Sequence, residues 1–164
     1  MAPSAEPLKA KADAAFRSGA AAEAAALYGE ALAALAGAGD ASDKAHILRA
    51  NRSAALLKCG DVAGAAADAL ACVRLDASYT KGFYRLGAAL LKAGWLPEAL
   101  RAFEAGEKAA KTPAAAAEMA AGATEVRALP DARAGSAVGG VQVVPGPQQS
   151  RVRQGLQPPR LCLI

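Results

Sequence analysis

Aromatic side chains make up only 4% of this 164-residue chain, and it has one histidine and three cysteines. Each scarcity excludes something. No stretch carries the sustained run of Val, Ile and Thr that strands favour, so a sheet protein is not expected. His46 has no second histidine or neighbouring cysteine with which to hold zinc. Cys59, Cys72 and Cys162 are too few and too irregularly spaced for a disulfide framework or a metal site. None sits beside an evident base, so no thiol nucleophile is expected, and sparse unpaired thiols suit a reducing compartment. No apolar run approaches the ~20 residues needed to cross a bilayer. Met1–Glu6 lacks the charged lead and apolar core of a signal peptide. Cys162 stands third from the end, whereas prenylation takes a cysteine fourth from the end. Gly37-Ala38-Gly39 and Gly139-Gly140 follow no strand pattern, so neither reads as a phosphate loop. The expectation is a cytoplasmic protein with no catalytic residues, metal or cofactor.

Alanine is what the chain has in excess, at 48 positions. It is the best helix former, and Leu, Glu, Lys and Arg fill most of the remaining helical positions. The predicted class is therefore all-α. The net charge of +4 is uneven: residues 1–129 carry 15 basic and 14 acidic side chains, and residues 130–164 carry 4 and 1. The basic excess thus lies in the last stretch. Its four arginines, Arg133, Arg151, Arg153 and Arg160, are scattered without interleaved aromatics. They predict a salt-sensitive attraction to anions and no specific nucleic-acid site.

An internal repeat sets the organisation. A small residue is followed seven positions later by Gly, five after that by Ala, and four further on by a fourth landmark. The sets are Ala12, Gly19, Ala24, Tyr28; then Ser53, Gly60, Ala65, Ala69; then Gly87, Gly94, Ala99, Phe103. The second step is 34 residues at every landmark, the helix–turn–helix period of a tetratricopeptide repeat (TPR). The first step is 41, with the extra seven accommodated by Gly37–Asp43, a Gly/Asp/Ser-rich loop. Small residues at the first and third landmarks let paired helices approach closely. Leu8, Phe16, Tyr28, Phe83, Leu90 and Phe103 fill the space around them. The glycines Gly19, Gly60 and Gly94 close the first helix of each pair in the left-handed conformation.

The spacing predicts helices near 5–18, 21–36, 42–58, 61–75, 78–92, 95–110 and 114–129. Repeats fall at about 5–36, 46–77 and 80–111. Residues 114–129 form a capping helix, with Thr112 as N-cap and Pro113 in the first turn. A TPR domain over 5–129 then lies between a flexible N-terminus (1–4) and a tail (130–164). That tail is rich in Gly, Pro, Gln and Arg and is expected to be disordered. Its short apolar pieces, Val141–Val144 and Leu161–Ile164, are candidates to dock elsewhere. Trp95 is expected to pack near the third repeat's turn, and His46 to be exposed and inert.

Asn51-Arg52-Ser53-Ala54-Ala55 and Lys81-Gly82-Phe83-Tyr84-Arg85 carry a more specific resemblance. Over residues 5–129 the chain resembles the carboxylate-clamp TPR domains of co-chaperones, of the Hop/Sti1 type. The resemblance implies a helical solenoid whose groove binds the C-terminal tail of cytosolic 70- or 90-kDa heat-shock chaperones, ending in Glu-Glu-Val-Asp. In such domains Lys, Asn and Arg from the first helix of each repeat hold the peptide's terminal carboxylate and Asp side chain. The matching positions are Lys9 and Asp13, then Asn51, then Lys81 and Arg85. Apolar contacts would come from Ala54 and Leu57. The implied protein is a monomeric adaptor and not an enzyme.

Elementary geometry agrees with that placement. Lys9 and Asp13 are four apart, as are Lys81 and Arg85, so each pair shares a helix face. First helices of stacked repeats line the concave side of a solenoid. One position departs from the family pattern, which has Asn where this chain has Asp13. Asn donates a hydrogen bond to a ligand carboxylate; an ionised Asp has no donor and repels it. Two like charges ~4 Å apart cost about 4 kcal/mol at an effective dielectric near 20, less with solvent and salt. Asp13 can also pair with Lys9 and withdraw it from the ligand. A second expectation therefore stands beside the first: a TPR scaffold that binds a different peptide or protein partner.

Overall fold

The computed structural model describes residues 4–37 and 44–130. The interior of the first-repeat loop, residues 1–3 and the tail beyond Pro130, with its arginines and apolar pieces, lie outside the described residues. Seven helices and no strands occur among the described residues: α1 (Ala5–Arg17), α2 (Ala21–Gly37), α3 (Ala45–Lys58), α4 (Val62–Leu75), α5 (Thr80–Lys92), α6 (Leu96–Ala109) and α7 (Pro113–Ala128). The described residues are all-α, as the composition predicts.

Three of the turns are built alike. Gly19, Gly60 and Gly94 have φ of 89°, 84° and 78°, the left-handed region that L side chains rarely adopt. At each, the next residue's N–H reaches back over the glycine: Ala20 to Ala15 O (2.9 Å), Asp61 to Leu56 O (3.0 Å), Trp95 to Leu90 O (2.9 Å). This six-to-one closure satisfies helix-end carbonyls and reverses the chain, so the first and second helices of each repeat lie against one another. At the α4–α5 junction, Asp76 Oδ1 accepts from the Ser78 N–H at 2.8 Å. That local turn holds residues 76–79 out of the helix, so α5 starts two residues later than the spacing predicts. The last helix opens as expected, with Pro113 in the first turn and the Thr112 hydroxyl accepting from the Ala115 N–H at 3.2 Å.

Successive helices pack on one another, and α3 on α5 and α5 on α7 make the further contacts of a stacked solenoid. The small landmarks lie at the helix crossings: Ala12, Ala24, Ala65 and Ala99 are fully buried. Ser53 is also buried there, and its hydroxyl donates to the Ala65 carbonyl at 2.8 Å. One core cluster spans α1 to α3 around Leu8, Tyr28, Leu35 and Leu48. A larger one spans α4 to α7 around Phe83, Leu86, Leu90, Phe103 and Met119. Burying each large side chain contributes about 1.5–3 kcal/mol. Asp68 is buried as well, accepting from Arg52 (2.5 and 2.7 Å) and Arg49 (3.1 Å). Arg52 of the diagnostic Asn-Arg-Ser stretch therefore ties α3 to α4.

His46 departs from expectation. Its side chain is only 14% exposed; it lies edge-on to the Tyr79 ring at 4.9 Å, with Nε2 3.7 Å from Asp76 Oδ2. The turn preceding α5 covers it, which the sequence around His46 alone does not announce. Trp95 is half-buried against the larger core, at the start of α6.

Candidate functional site

Helices α1, α2, α3 and α5 open a cleft of about 180 Å³ lined by Asp13, Phe16, Arg17, Tyr28, Asn51, Ala54 and Arg85. Residues from all three repeats meet here. The lining follows from helical spacing: Phe16 and Arg17 lie three and four beyond Asp13 on α1, and Ala54 lies three beyond Asn51 on α3. Of the residues singled out in the sequence, Asp13, Asn51, Ala54 and Arg85 are brought together. Lys9 is one turn before Asp13 and bonded to it. Lys81 is exposed, one turn before Arg85 on α5. Leu57 does not line the cleft; it packs, partly buried, against Ala65, Ala66 and Ala89.

Asp13 is the most connected group in the cleft. Lys9 Nζ donates to its Oδ2 at 2.8 Å, and the Tyr28 hydroxyl donates to its Oδ1 at 2.5 Å. Burial pushes the Asp13 carboxyl up. The hydrogen bonds from Lys9 and Tyr28, with the charges of Lys9 and Arg17, outweigh that and hold it below the usual carboxylate range. Asp13 is therefore ionised at neutral pH, an anion built into the cleft. The Tyr28 hydroxyl is made a weaker acid, by burial and then by Asp13, while Asn51 reaches it from α3 and opposes the shift. Tyr28 is 2% exposed, so its ring belongs to the core and only its hydroxyl reaches the cleft.

Arg17, Phe16 and the Tyr28 hydroxyl were not assigned to the site from sequence. The repeat pattern places Phe16 and Tyr28 in the core, which holds for the Tyr28 ring. Phe16 is only partly buried, with the Lys58 ammonium 4.1 Å from its ring centroid. Arg17 carried a usable signal, since it stands four residues beyond Asp13 and eight beyond Lys9, on the same face. Among the described residues no cluster of His, Cys, Asp or Glu is arranged to hold a metal ion, and no helix is long and apolar enough to cross a membrane.

No family model matches the chain. A stretch of 102 residues is 42% identical to the Hsp70-Hsp90 organizing protein of Triticum aestivum, covering 62% of this chain and 16% of that protein. The chain thus spans about a sixth of that relative's length. Among solved structures, the Sgt2 TPR domain of Aspergillus fumigatus aligns with a TM-score of 0.68 and 27% identity, over 90% of this chain and 93% of that one. The second TPR domain of human RPAP3, solved with the HSP70 peptide SGPTIEEVD, aligns with a TM-score of 0.61 and 27% identity, over 73% and 92%. With three glycine-closed helix pairs and a capping helix, the described residues form a tetratricopeptide-repeat solenoid similar to the co-chaperone TPR domains of the Hop/Sti1 type.

Proposed function

We propose that this chain is a protein–protein adaptor, with no catalytic step, that binds the acidic C-terminal peptide of 70- or 90-kDa heat-shock chaperones in the cleft between α1, α3 and α5. The observation that carries the reading is the convergence of Asp13, Asn51, Ala54 and Arg85 from three repeats on one opening. Lys81 adds a cation one turn from Arg85 at its margin. Asn51 and Arg85 supply the donors a carboxylate needs, Ala54 an apolar contact, and Arg17 a further positive charge. The RPAP3 domain was solved with a peptide of this kind, and the Triticum protein is named for both chaperones, which supports the same ligand class here. Such tails belong to cytosolic chaperones, so the cytoplasm is the compartment we infer, with the adaptor acting as a monomer.

The Lys9–Asp13 pair favours a second reading, a TPR scaffold whose partner is not a free C-terminus. Calorimetry separates the two, using a ten-residue peptide ending in Glu-Glu-Val-Asp and its C-terminally amidated twin. Binding of the free acid alone, at micromolar affinity, supports the clamp. Failure of both peptides with wild type and with Asp13→Asn removes the chaperone-tail reading and leaves the scaffold.

A further inference from the structure

We propose that Arg17 is a specificity-determining residue of this cleft: it receives the ligand's anionic terminus together with Arg85 and Asn51, while Lys9 is held back by Asp13. The inference rests on the chaperone-tail reading and adds where in the cleft the carboxylate sits.

Charge accounting around the opening leads to it. Lys9 is committed to Asp13 at 2.8 Å, four residues away on one helix, so an incoming carboxylate must displace a tethered competitor to reach it. The Tyr28 hydroxyl gives its proton to the same Asp13, so it is committed as well. Neither Arg17 nor Arg85 has an ion-pair partner among the described residues, yet both line the cleft, from α1 and from α5, with Asn51 on α3. Arg17 is the nearer of the two to Asp13 in sequence, and it acts on Asp13 and Tyr28 through its charge. With the Lys9 and Asp13 charges cancelling, the opening keeps two guanidinium groups. Each presents a planar fork of donors that suits a carboxylate better than a point charge does. The ligand's carboxylate therefore meets its unpaired donors at the Arg17 end of α1, about two helical turns from the committed Lys9. Phe16 and Ala54, beside the arginines, offer apolar surface to the residue preceding the terminus.

The test is calorimetric titration with the free-acid peptide ending in Glu-Glu-Val-Asp. Arg17→Ala and Lys9→Ala are measured in the wild-type chain and in Asp13→Asn, each checked for unchanged thermal melting. Arg17 is exposed, so its truncation leaves the fold intact. In the wild-type chain Arg17→Ala is expected to weaken binding about tenfold or more, the scale of one lost charge-assisted bond, and Lys9→Ala by a smaller factor, set by the Asp13 charge it leaves uncancelled and not by a lost ligand contact. In Asp13→Asn the order reverses, because Lys9 is released to the ligand. A wild-type chain that binds the peptide but loses more with Lys9→Ala than with Arg17→Ala overturns the assignment and leaves the clamp standing. Absence of binding in both wild type and Asp13→Asn overturns the clamp itself, and the assignment with it.

Discussion

Phe103 is caged between two glycines, and filling one of them tests how tightly the capping helix is docked. A Cβ added at Gly122 on α7 would lie 2.5 Å from Phe103 Cε1 and 2.7 Å from Cδ1 and Cζ. One added at Gly87 on α5 would meet the same ring at 2.7–2.8 Å. Carbon atoms in contact sit about 3.5–4.0 Å apart, so the Gly122→Ala methyl overlaps the ring by about an ångström. The ring is 2% exposed and has no room to retreat, since Gly87 closes the other side. Overpacking of this kind costs about 1–3 kcal/mol, and Ala in place of Gly within a helix returns about 1 kcal/mol. The overlap is severe enough to place the cost in the upper half of its range, so the net loss expected is about 1–2 kcal/mol. For a domain of this size the melting temperature should fall by about 4–8 °C, read by far-ultraviolet circular dichroism. Gly29→Ala, in the middle of α2, is the control: its Cβ would meet only the Arg52 guanidinium tip, at 3.3 Å, so it should keep most of the gain in helix propensity and melt no lower than wild type. Combining Gly122→Ala with Phe103→Leu should be milder than the sum of the two, by about 1 kcal/mol, because the clash goes with the ring. A Gly122→Ala protein that melts higher than wild type would refute the packing argument, since propensity would then have outweighed the overlap.

Acid should single out Asp13. Its folded carboxyl lies below the ordinary range, so it stabilises above the unfolded value of about 3.9. That contribution is lost as pH falls through the lower folded value. Between neutral pH and about pH 3 the melting temperature of wild type should therefore drop further than that of Asp13→Asn, and parallel curves would contradict the Lys9 and Tyr28 bonds. Asp68→Ala leaves Arg49 and Arg52 without their shared carboxylate between α3 and α4 and should cost about 2–4 kcal/mol by denaturant unfolding; a loss under about 1 kcal/mol would show the pair to be dispensable. With Cys162 replaced by Ser, Ellman's reagent at neutral pH should modify the exposed Cys59 at once. Cys72 should react only on unfolding, since burial, more than the nearby Asp76, pushes its thiol up to about 12. Rapid modification of both in the folded protein would contradict the close packing of Cys72 under Gly82.

The architecture was legible because the residues that set it act locally. Gly19, Gly60 and Gly94 each force a left-handed step, and a glycine recurring at a fixed offset from a small residue can be read without knowing what it packs against. Thr112 and Pro113 announce α7 in the same way. The late start of α5 and the covering of His46 were not legible, because both depend on the 76–79 turn, where Asp76 caps Ser78 and also approaches His46. Of the positions carried by the resemblance, Asp13, Asn51, Ala54 and Arg85 line the cleft and Lys9, Lys81 and Leu57 do not, while Phe16, Arg17 and the Tyr28 hydroxyl line it without belonging to that set. Arg17 shares the face of α1 that carries Asp13 and is readable from spacing, whereas the Tyr28 hydroxyl enters the site only through the packing of α2 on α1. Leu57, three residues beyond Ala54, turns toward α4 and α5 because the small residues Ala65, Ala66 and Ala89 leave a space there.

The two faces of α1 separate what holds the fold from what borders the cleft. Leu8, Ala12 and Ala15 are its buried residues, at a spacing of four and three, and they face α2 and the first core cluster. Lys9, Asp13 and Phe16 each follow that stripe by one position and Arg17 by two; Asp13, Phe16 and Arg17 line the cleft, Phe16 also packing on the core. Tyr28 connects the core and the cleft, its ring in the first and its hydroxyl on Asp13. An Asn at position 13 could accept that hydroxyl proton through its carbonyl oxygen, so either residue satisfies the buried phenol. Because packing does not discriminate between Asp and Asn there, the choice is free to be set by what the cleft binds. Electrostatics does discriminate: Asp withdraws Lys9 and leaves the arginines as the cationic donors at the opening. On the proposed reading, Asp13 in place of the Asn of the resembled pattern bears on ligand position and affinity, while the packing of the solenoid is left as it is.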